Sequence, residues 1–484
     1  MAVKPPKVHT APGYTGEAPR VITTGPGPIA APRLGIWELA WPAILNNLLH
    51  SMVGLVGIKM VGSLGAGAVA AVTTGNRIFF ILQALLMAVT AGTTALVARA
   101  WGAGDRDEAE RVNRASMWVC LSISLLITFP AVLFADPLAR FFRLEEETLL
   151  LAATYIRWIS LFNAAFALQF VLSVALRAAG DARTPLWIGA LTNIANIILL
   201  YALVYGRLGF PALGVAGAAI AGGAAFAIGS VAFVYLWLRG YLILGIGPPR
   251  CLERARVLRL VNIGYPAGLE QVVWQGGFVL FLWIVSLYGT APYAAYGIGV
   301  SILSFSFLIG WGFSIAASTL VGQHLGAGDP DGATRSGWRA ARLSLVSMVV
   351  FGFAIVAGAW PLARWMIDDS EVVRLTVVFI YVLGGLQPLM AIEFALTGSL
   401  RGAGDTRFPL LTVLLGLVCV RCVLAGFFAW LDFSVEWIFY ALIADYIVKA
   451  TMLTLRFRSG RWKSVIAGSA NGEAWDERNG GGSN

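Results

Sequence analysis

Charge is scarce in this chain. Only 13% of its 484 residues are Asp, Glu, Lys or Arg, about half the usual 25% of a soluble globular protein. Histidine is scarcer: His9, His50 and His324 are the whole supply. Three scattered imidazoles form no His/acid cluster with metal-site or triad spacing, so the chain reads as a non-enzyme without a metal or cofactor. Four cysteines are too few for a disulfide framework. Cys419 and Cys422 make a CxxC inside an apolar run, where they read as small packing residues. No G-x-x-x-x-G-K-[ST] phrase occurs, so nothing points to a P-loop that binds ATP. The first 32 residues, rich in Pro, Gly and Lys, lack the short apolar core of a signal peptide.

Apolar residues are abundant, at 58%. Runs long enough to cross a bilayer, roughly 20 residues each, follow one another through most of the length. Read against turn signals, they give twelve spans: 36–61, 66–98, 116–135, 148–176, 186–205, 213–238, 258–286, 291–322, 340–360, 372–400, 408–430 and 436–456. Arginines crowd the connections after the even-numbered spans and thin out after the odd-numbered ones. The positive-inside rule then puts both termini in the cytoplasm of a cell that keeps the chain in its inner membrane. The net charge of +9 sits in those loops and the tails, which speaks against nucleic acid as a partner.

The chain is written twice. LRAAGDARTP at residues 176–185 returns as LRGAGDTRFP at 400–409, an offset of 224. At the same offset Trp41-Pro42-Ala43 becomes Tyr265-Pro266-Ala267, and GAGD at 102–105 returns at 326–329. Such spacing marks a duplicated domain. With six spans per copy both copies start on the same side, so they are parallel repeats, with a substrate path at the interface between them. The expected architecture is an all-α polytopic membrane protein, with twelve transmembrane helices in two parallel-repeat six-helix lobes. Its parts are a flexible tail (1–32), the first lobe (33–239), an interlobe loop (240–257), the second lobe (258–457) and a second tail (458–484).

The repeated phrase falls at the turns joining spans 4–5 and 10–11. Gly180 and Gly404 suit a helix C-terminal cap, and Asp181 and Asp405 an N-cap of the next helix. Arg177 and Arg401 sit where a cation favours a helix end. The bland reading is a charged, tight turn. The sharper one is a cytoplasmic latch built from Arg177, Asp181, Arg401 and Asp405, whose ion pairs differ between inward- and outward-open states.

These paired turns, the GAGD turns, LGVAGAA at 213–219 and VGSLGAGAVAAV at 61–72 resemble the multidrug and toxic compound extrusion (MATE) transporters over roughly residues 33–460. The resemblance implies a two-lobe antiporter expelling amphipathic, often cationic compounds at the expense of a proton or sodium gradient. One departure stands out. Where many members carry an aspartate in span 1, this chain has Gly57, so a coupling scheme resting on that acid does not transfer. Glu393 also lies about one helical turn after the usual span-10 acid position, here Met390, and Glu270 about one turn before the usual span-7 position, here Trp274.

An ionisable group inside a span is costly, about 2.5–3.5 kcal/mol on insertion scales, and needs a reason. Glu270, Glu393, Arg421 and Asp445 lie in spans 7, 10, 11 and 12, whereas the first-lobe positions at the offset are Asn46, Gln169, Ile197 and Ala221. The copies share shape but not charge. Glu270 and Glu393 are therefore the candidate carriers of the coupling H+ or Na+, with Arg421 competing for a carboxylate and Asp445 as a further acid. The alternative is a static ion pair, Arg421 with Glu393 or Asp445, and Asp445 with Lys449 at i, i+4. In the first lobe Asn46, Asn47, Gln169, Asn193 and Asn196 either bridge helices or line the substrate path. Pro42 and Pro266 are candidate helix bends. The partners expected are a small organic substrate and the bilayer, with no obligate protein partner. A lipid-linked oligosaccharide flippase is the competing reading, but it needs a strongly cationic cavity, and in-span bases read from sequence are few, chiefly Arg421 and Arg157.

Overall fold

The computed structural model describes residues 35–142, 144–245 and 252–465. The first tail and the end of the second lie outside them. No strand occurs among the described residues, and twelve helical spans are present, two of them bent. They are span 1 (Ile36–Gly62), span 2 (Ala66–Gly102), span 3 (Arg106–Leu133), span 4 (Glu146–Ser160 with Asn163–Ala179), span 5 (Arg183–Tyr205) and span 6 (Gly214–Leu238). The second set comprises span 7 (Arg254–Ser286), span 8 (Thr290–Gly326), span 9 (Pro330–Ala357), span 10 (Ser370–Gly385 with Gln387–Gly402), span 11 (Arg407–Trp430) and span 12 (Val435–Arg458).

Spans 3 and 9 start well before their apolar runs, at Arg106 and Pro330. The reason is local. Asp105 accepts the Glu108 amide at 2.9 Å and Asp329 the Gly332 amide at 2.7 Å, N-caps worth about 0.5–2 kcal/mol each. Each cap extends a polar helical turn beyond the apolar stretch.

Spans 4 and 10 are each a pair of helices rather than one continuous helix. They bend by 54° and 52° at equivalent places, Leu161–Phe162 and Leu386. Pro388 in the first turn of the second segment cannot continue the preceding helix's hydrogen bonding. Polar side chains occupy both breaks: Asn163 accepts from Gln83 at 3.0 Å and donates to Thr128 at 3.1 Å, and Gln387 accepts from Ser306. At the first break Thr128 also donates to the Ser160 carbonyl at 3.1 Å, which satisfies a backbone group inside the membrane. Pro42 and Pro266, by contrast, lie within helices that run on unbroken.

The twin turns fold as twins in backbone only. Gly180 and Gly404 both take left-handed conformations, φ +104° and +86°. Asp181 caps the next helix, accepting Arg183 and Thr184 amides at 3.1 and 2.9 Å. Asp405 instead binds Arg456, from span 12, at 2.8 Å.

Between lipid-facing helices burial of apolar surface drives little, and close packing decides association. The lobes meet where spans 2 and 8 end. A side chain at Gly102 would strike the Gln323 backbone, and one at Gly326 the Arg99 backbone, so the GAGD glycines allow two helix ends to cross. Hydrogen bonds seal this end: Gln323 to the Ala178 carbonyl at 2.8 Å and Thr319 to the Arg177 carbonyl at 3.2 Å. Arg256, at the start of span 7, grips Glu108 through two bonds of 2.9 and 2.8 Å. The chain between the lobes folds back on the first, with the Gly245 amide donating to Glu110 at 2.7 Å. All these contacts lie at the end that carries the arginine-rich loops.

Candidate functional site

Above the sealed end a central cavity lies between the lobes. It has two chambers of about 170 and 240 Å³. Met87, Phe170, Arg177, Trp311 and Ile315 line both, so the chambers are contiguous. The first-lobe chamber presents Asn46, Asn47, Gln169 and Asn193 together with Phe166 and Phe226. Four of the five residues read as substrate-path candidates are thus brought to one surface, and Asn196 is not among the lining. Two of the four also hold the lobe: Gln169 donates to Thr192 at 2.8 Å, and Asn46 fits against Gly189, where any side chain would strike its Oδ1. The Asn46 Oδ1 accepts no hydrogen bond.

Arg177 and Arg401 do not meet their neighbouring aspartates. The helix turns them inward, and both line the cavity. Arg401 reaches Glu270 of span 7 at 2.9 Å and lies over the Trp311 ring at 5.9 Å. Glu270 keeps a second carboxylate oxygen, buried and without a hydrogen-bond partner.

Deeper in the second lobe four charges gather from spans 10, 11 and 12. Arg421 pairs with Asp445, which is fully buried. Lys449 lies 2.8 Å from Glu393 and 3.5 Å from Asp445. Two cations and two carboxylates leave the cluster formally neutral. Aromatic rings complete it, with Tyr446 under Lys449 at 4.2 Å and under Arg421 at 5.3 Å. Span 11 is wound as a π-helix over Leu414–Cys422, a rare geometry that collects at functional sites. Gly416 lies within it, where a side chain would collide with Asp445 and Lys449. Arg421 therefore serves Asp445 rather than Glu393, and Lys449 is the base that holds Glu393. That partner was not singled out from sequence, where Lys449 had only its i, i+4 neighbour.

Arg157 pairs with Asp136 at the opposite end of the first lobe, half exposed. Cys422 packs beside the Gly277 carbonyl, while Cys419 is exposed. Among the described residues no group of three His, Cys, Asp or Glu side chains is placed to hold a metal ion.

A family model described as MatE matches residues 42–202 and again 266–426, two segments that begin and end 224 residues apart. A probable multidrug resistance protein NorM of Thermotoga maritima is 31% identical over 437 residues, 88% of this chain and 92% of that protein. A probable NorM of Bradyrhizobium diazoefficiens is 28% identical, covering 87% and 92%. Among solved structures, a MOP superfamily transporter from Pyrococcus furiosus superimposes with a TM-score of 0.82 at 19% identity, over 89% of this chain and 95% of that one.

Proposed function

The chain belongs to the MatE family, and from that premise we propose that it is a secondary active antiporter exporting amphipathic organic compounds in exchange for H+ or Na+. As a multi-pass membrane protein of a multidrug efflux transporter family, it has the two lobes and central path that alternating access requires.

The observation that carries the reading is the buried cluster of Glu393, Lys449, Asp445 and Arg421, present in one lobe only. A neutral set of four charges changes its pairing when one carboxylate takes a cation. Glu393 is the least enclosed of the two acids, 17% exposed against 0% for Asp445, so it is the one an entering proton or sodium ion meets. Neutralising Glu393 frees Lys449 to turn wholly to Asp445. Glu393 and Arg401 share the rigid segment Gln387–Gly402, about 12 Å apart along it. A shift of that segment reaches the cavity wall directly.

In this reading the arginine-rich loops and both termini face the cytoplasm of the inner membrane. The sealed end is then the cytoplasmic gate, and the cavity lies on its outer side. The partners are a small organic substrate and the bilayer, with a coupling cation in place of a cofactor. The multidrug-resistance names of the relatives favour small-molecule export over movement of a lipid-linked oligosaccharide. The scarcity of bases inside the spans counted against the flippase and added to the cationic preference that the resemblance implies, and Arg177 and Arg401 on the cavity wall remove that added ground.

The test is export by the full-length protein in inverted vesicles, with a proton gradient and a sodium gradient imposed separately and dyes of either charge offered. Export driven by one gradient, and lost in Glu393→Gln, is the expected result. Export driven by neither would end the reading.

A further inference from the structure

We propose that the central cavity binds an amphipathic organic anion, a carboxylate, sulfonate or phosphate on an apolar body, with Arg177 as the anchor of its charge. The proposal deepens the export reading by naming the substrate class of the same cavity.

The duplication itself makes the case. Arg401 and Arg177 are the same residue of the two copies. In the second lobe Arg401 is neutralised by Glu270 at 2.9 Å. The first-lobe equivalent of Glu270 is Asn46, an amide, and it lines the same chamber as Arg177. With an amide where the second lobe has an acid, Arg177 has no counter-charge: among the described residues its side chain makes no ion pair and no hydrogen bond. Among the described residues no Asp or Glu lines either chamber. A guanidinium retained between membrane-spanning helices without a partner is costly, and its planar fork matches the oxygens of a carboxylate, sulfonate or phosphate. Around it Phe166, Phe170, Phe226 and Trp311 offer faces for an apolar body, while the amides of Asn46 and Asn193 fix orientation.

The experiment uses full-length protein in nanodiscs of zwitterionic lipid, titrated with pyrenebutyrate and with a pyrenebutyl-trimethylammonium salt, against empty nanodiscs. The probes share an apolar body and differ in the sign of their charge. Wild type is expected to hold the carboxylate at least about tenfold more tightly than the ammonium. Arg177→Lys should keep most of that preference, whereas Arg177→Gln and Asn46→Glu, the latter rebuilding the second-lobe pair, should bring the ratio close to unity. An ammonium preference in wild type, a ratio unmoved by both neutralising variants, or no binding of either probe would overturn the proposal. Repeating the titration in nanodiscs containing phosphatidylglycerol separates two sources of the anion: loss of the probe there assigns the site to a lipid phosphate, and retention to a soluble organic anion. Because binding is read without a gradient, failure of antiport would leave this result standing, and failure of the anion preference would leave antiport untouched.

Discussion

Arg401 and Glu270 meet at 2.9 Å across spans 10 and 7, whereas Arg177 and Asn46, the same two positions of the first copy, form no ion pair. One substitution between the copies, acid for amide, therefore converts a closed pair into an open cation. Glu270, Glu393, Asp445, Arg401, Arg421 and Lys449 of the second lobe pair with one another, and the first lobe leaves Arg177 facing the cavity.

Breaking the closed pair is expected to be more harmful than removing it. Glu270→Gln leaves the half-buried Arg401 without a counter-charge, a loss of at most about 3–5 kcal/mol. Glu270→Gln combined with Arg401→Gln should recover part of that loss, because no lone charge remains. Unfolding of the two single variants and the double variant in detergent closes the cycle. A double variant as unstable as the sum of the singles would show that the pair is not coupled.

Within the buried cluster the two acids should differ. Asp445 touches both Arg421 and Lys449 and is fully buried, while Glu393 touches Lys449 alone and is partly accessible. Asp445→Asn is therefore expected to destabilise by about 3–5 kcal/mol and Glu393→Gln by clearly less. Thermal unfolding of both variants checks the order, and equal losses would contradict it.

The crossing of Gly102 and Gly326 gives a conformational expectation. Alanine at either position puts a methyl group against the opposing backbone, an overpacking that costs about 1–3 kcal/mol. The sealed end should loosen. Spin labels at Ala103 and Ala327, each directly after its glycine, report this as a longer separation in Gly102→Ala and Gly326→Ala than in the parent. An unchanged distance would show that the crossing does not hold the gate.

Outside the spans, Asp329 supplies a pH dependence. The Gly332 amide, and behind it His324 and Arg335, hold its carboxyl below the ordinary aspartate value against partial burial. A depressed value means the stabilisation is present above the unfolded value of about 3.9 and is lost as pH falls through the folded one. Asp329→Ala should thus cost about 0.5–2 kcal/mol at neutral pH, with the gap to the parent closing in acid. Denaturant unfolding across pH checks this, and a gap indifferent to pH would refute the cap.

Much of the architecture was legible because it is written twice. The offset of 224 marked the lobes, and the apolar runs marked all twelve spans to within a few residues, except where Asp105 and Asp329 capped polar turns ahead of spans 3 and 9. The bends in spans 4 and 10 were missed, although Pro388 signals one of them. Pairing was less legible, because it depends on which way a side chain leaves its helix. Arg177 and Arg401 looked like turn residues beside Asp181 and Asp405, yet the rotation of their helix aims them into the cavity. Lys449 looked like a local partner of Asp445, but it also reaches Glu393, which only the tertiary fold brings near. Charge in the span could be read from the sequence, and its direction could not.

The measurement closest to the central claim separates coupling from mere stability at Glu393. Wild type and Glu393→Gln are reconstituted at equal density and assayed for gradient-driven accumulation of a dye, and for exchange of that dye across the membrane with no gradient. Loss of accumulation with exchange retained is the result expected if Glu393 carries the coupling cation. If both activities survive unchanged, or both disappear together, Glu393 serves the fold of the second lobe rather than the exchange of ions for substrate.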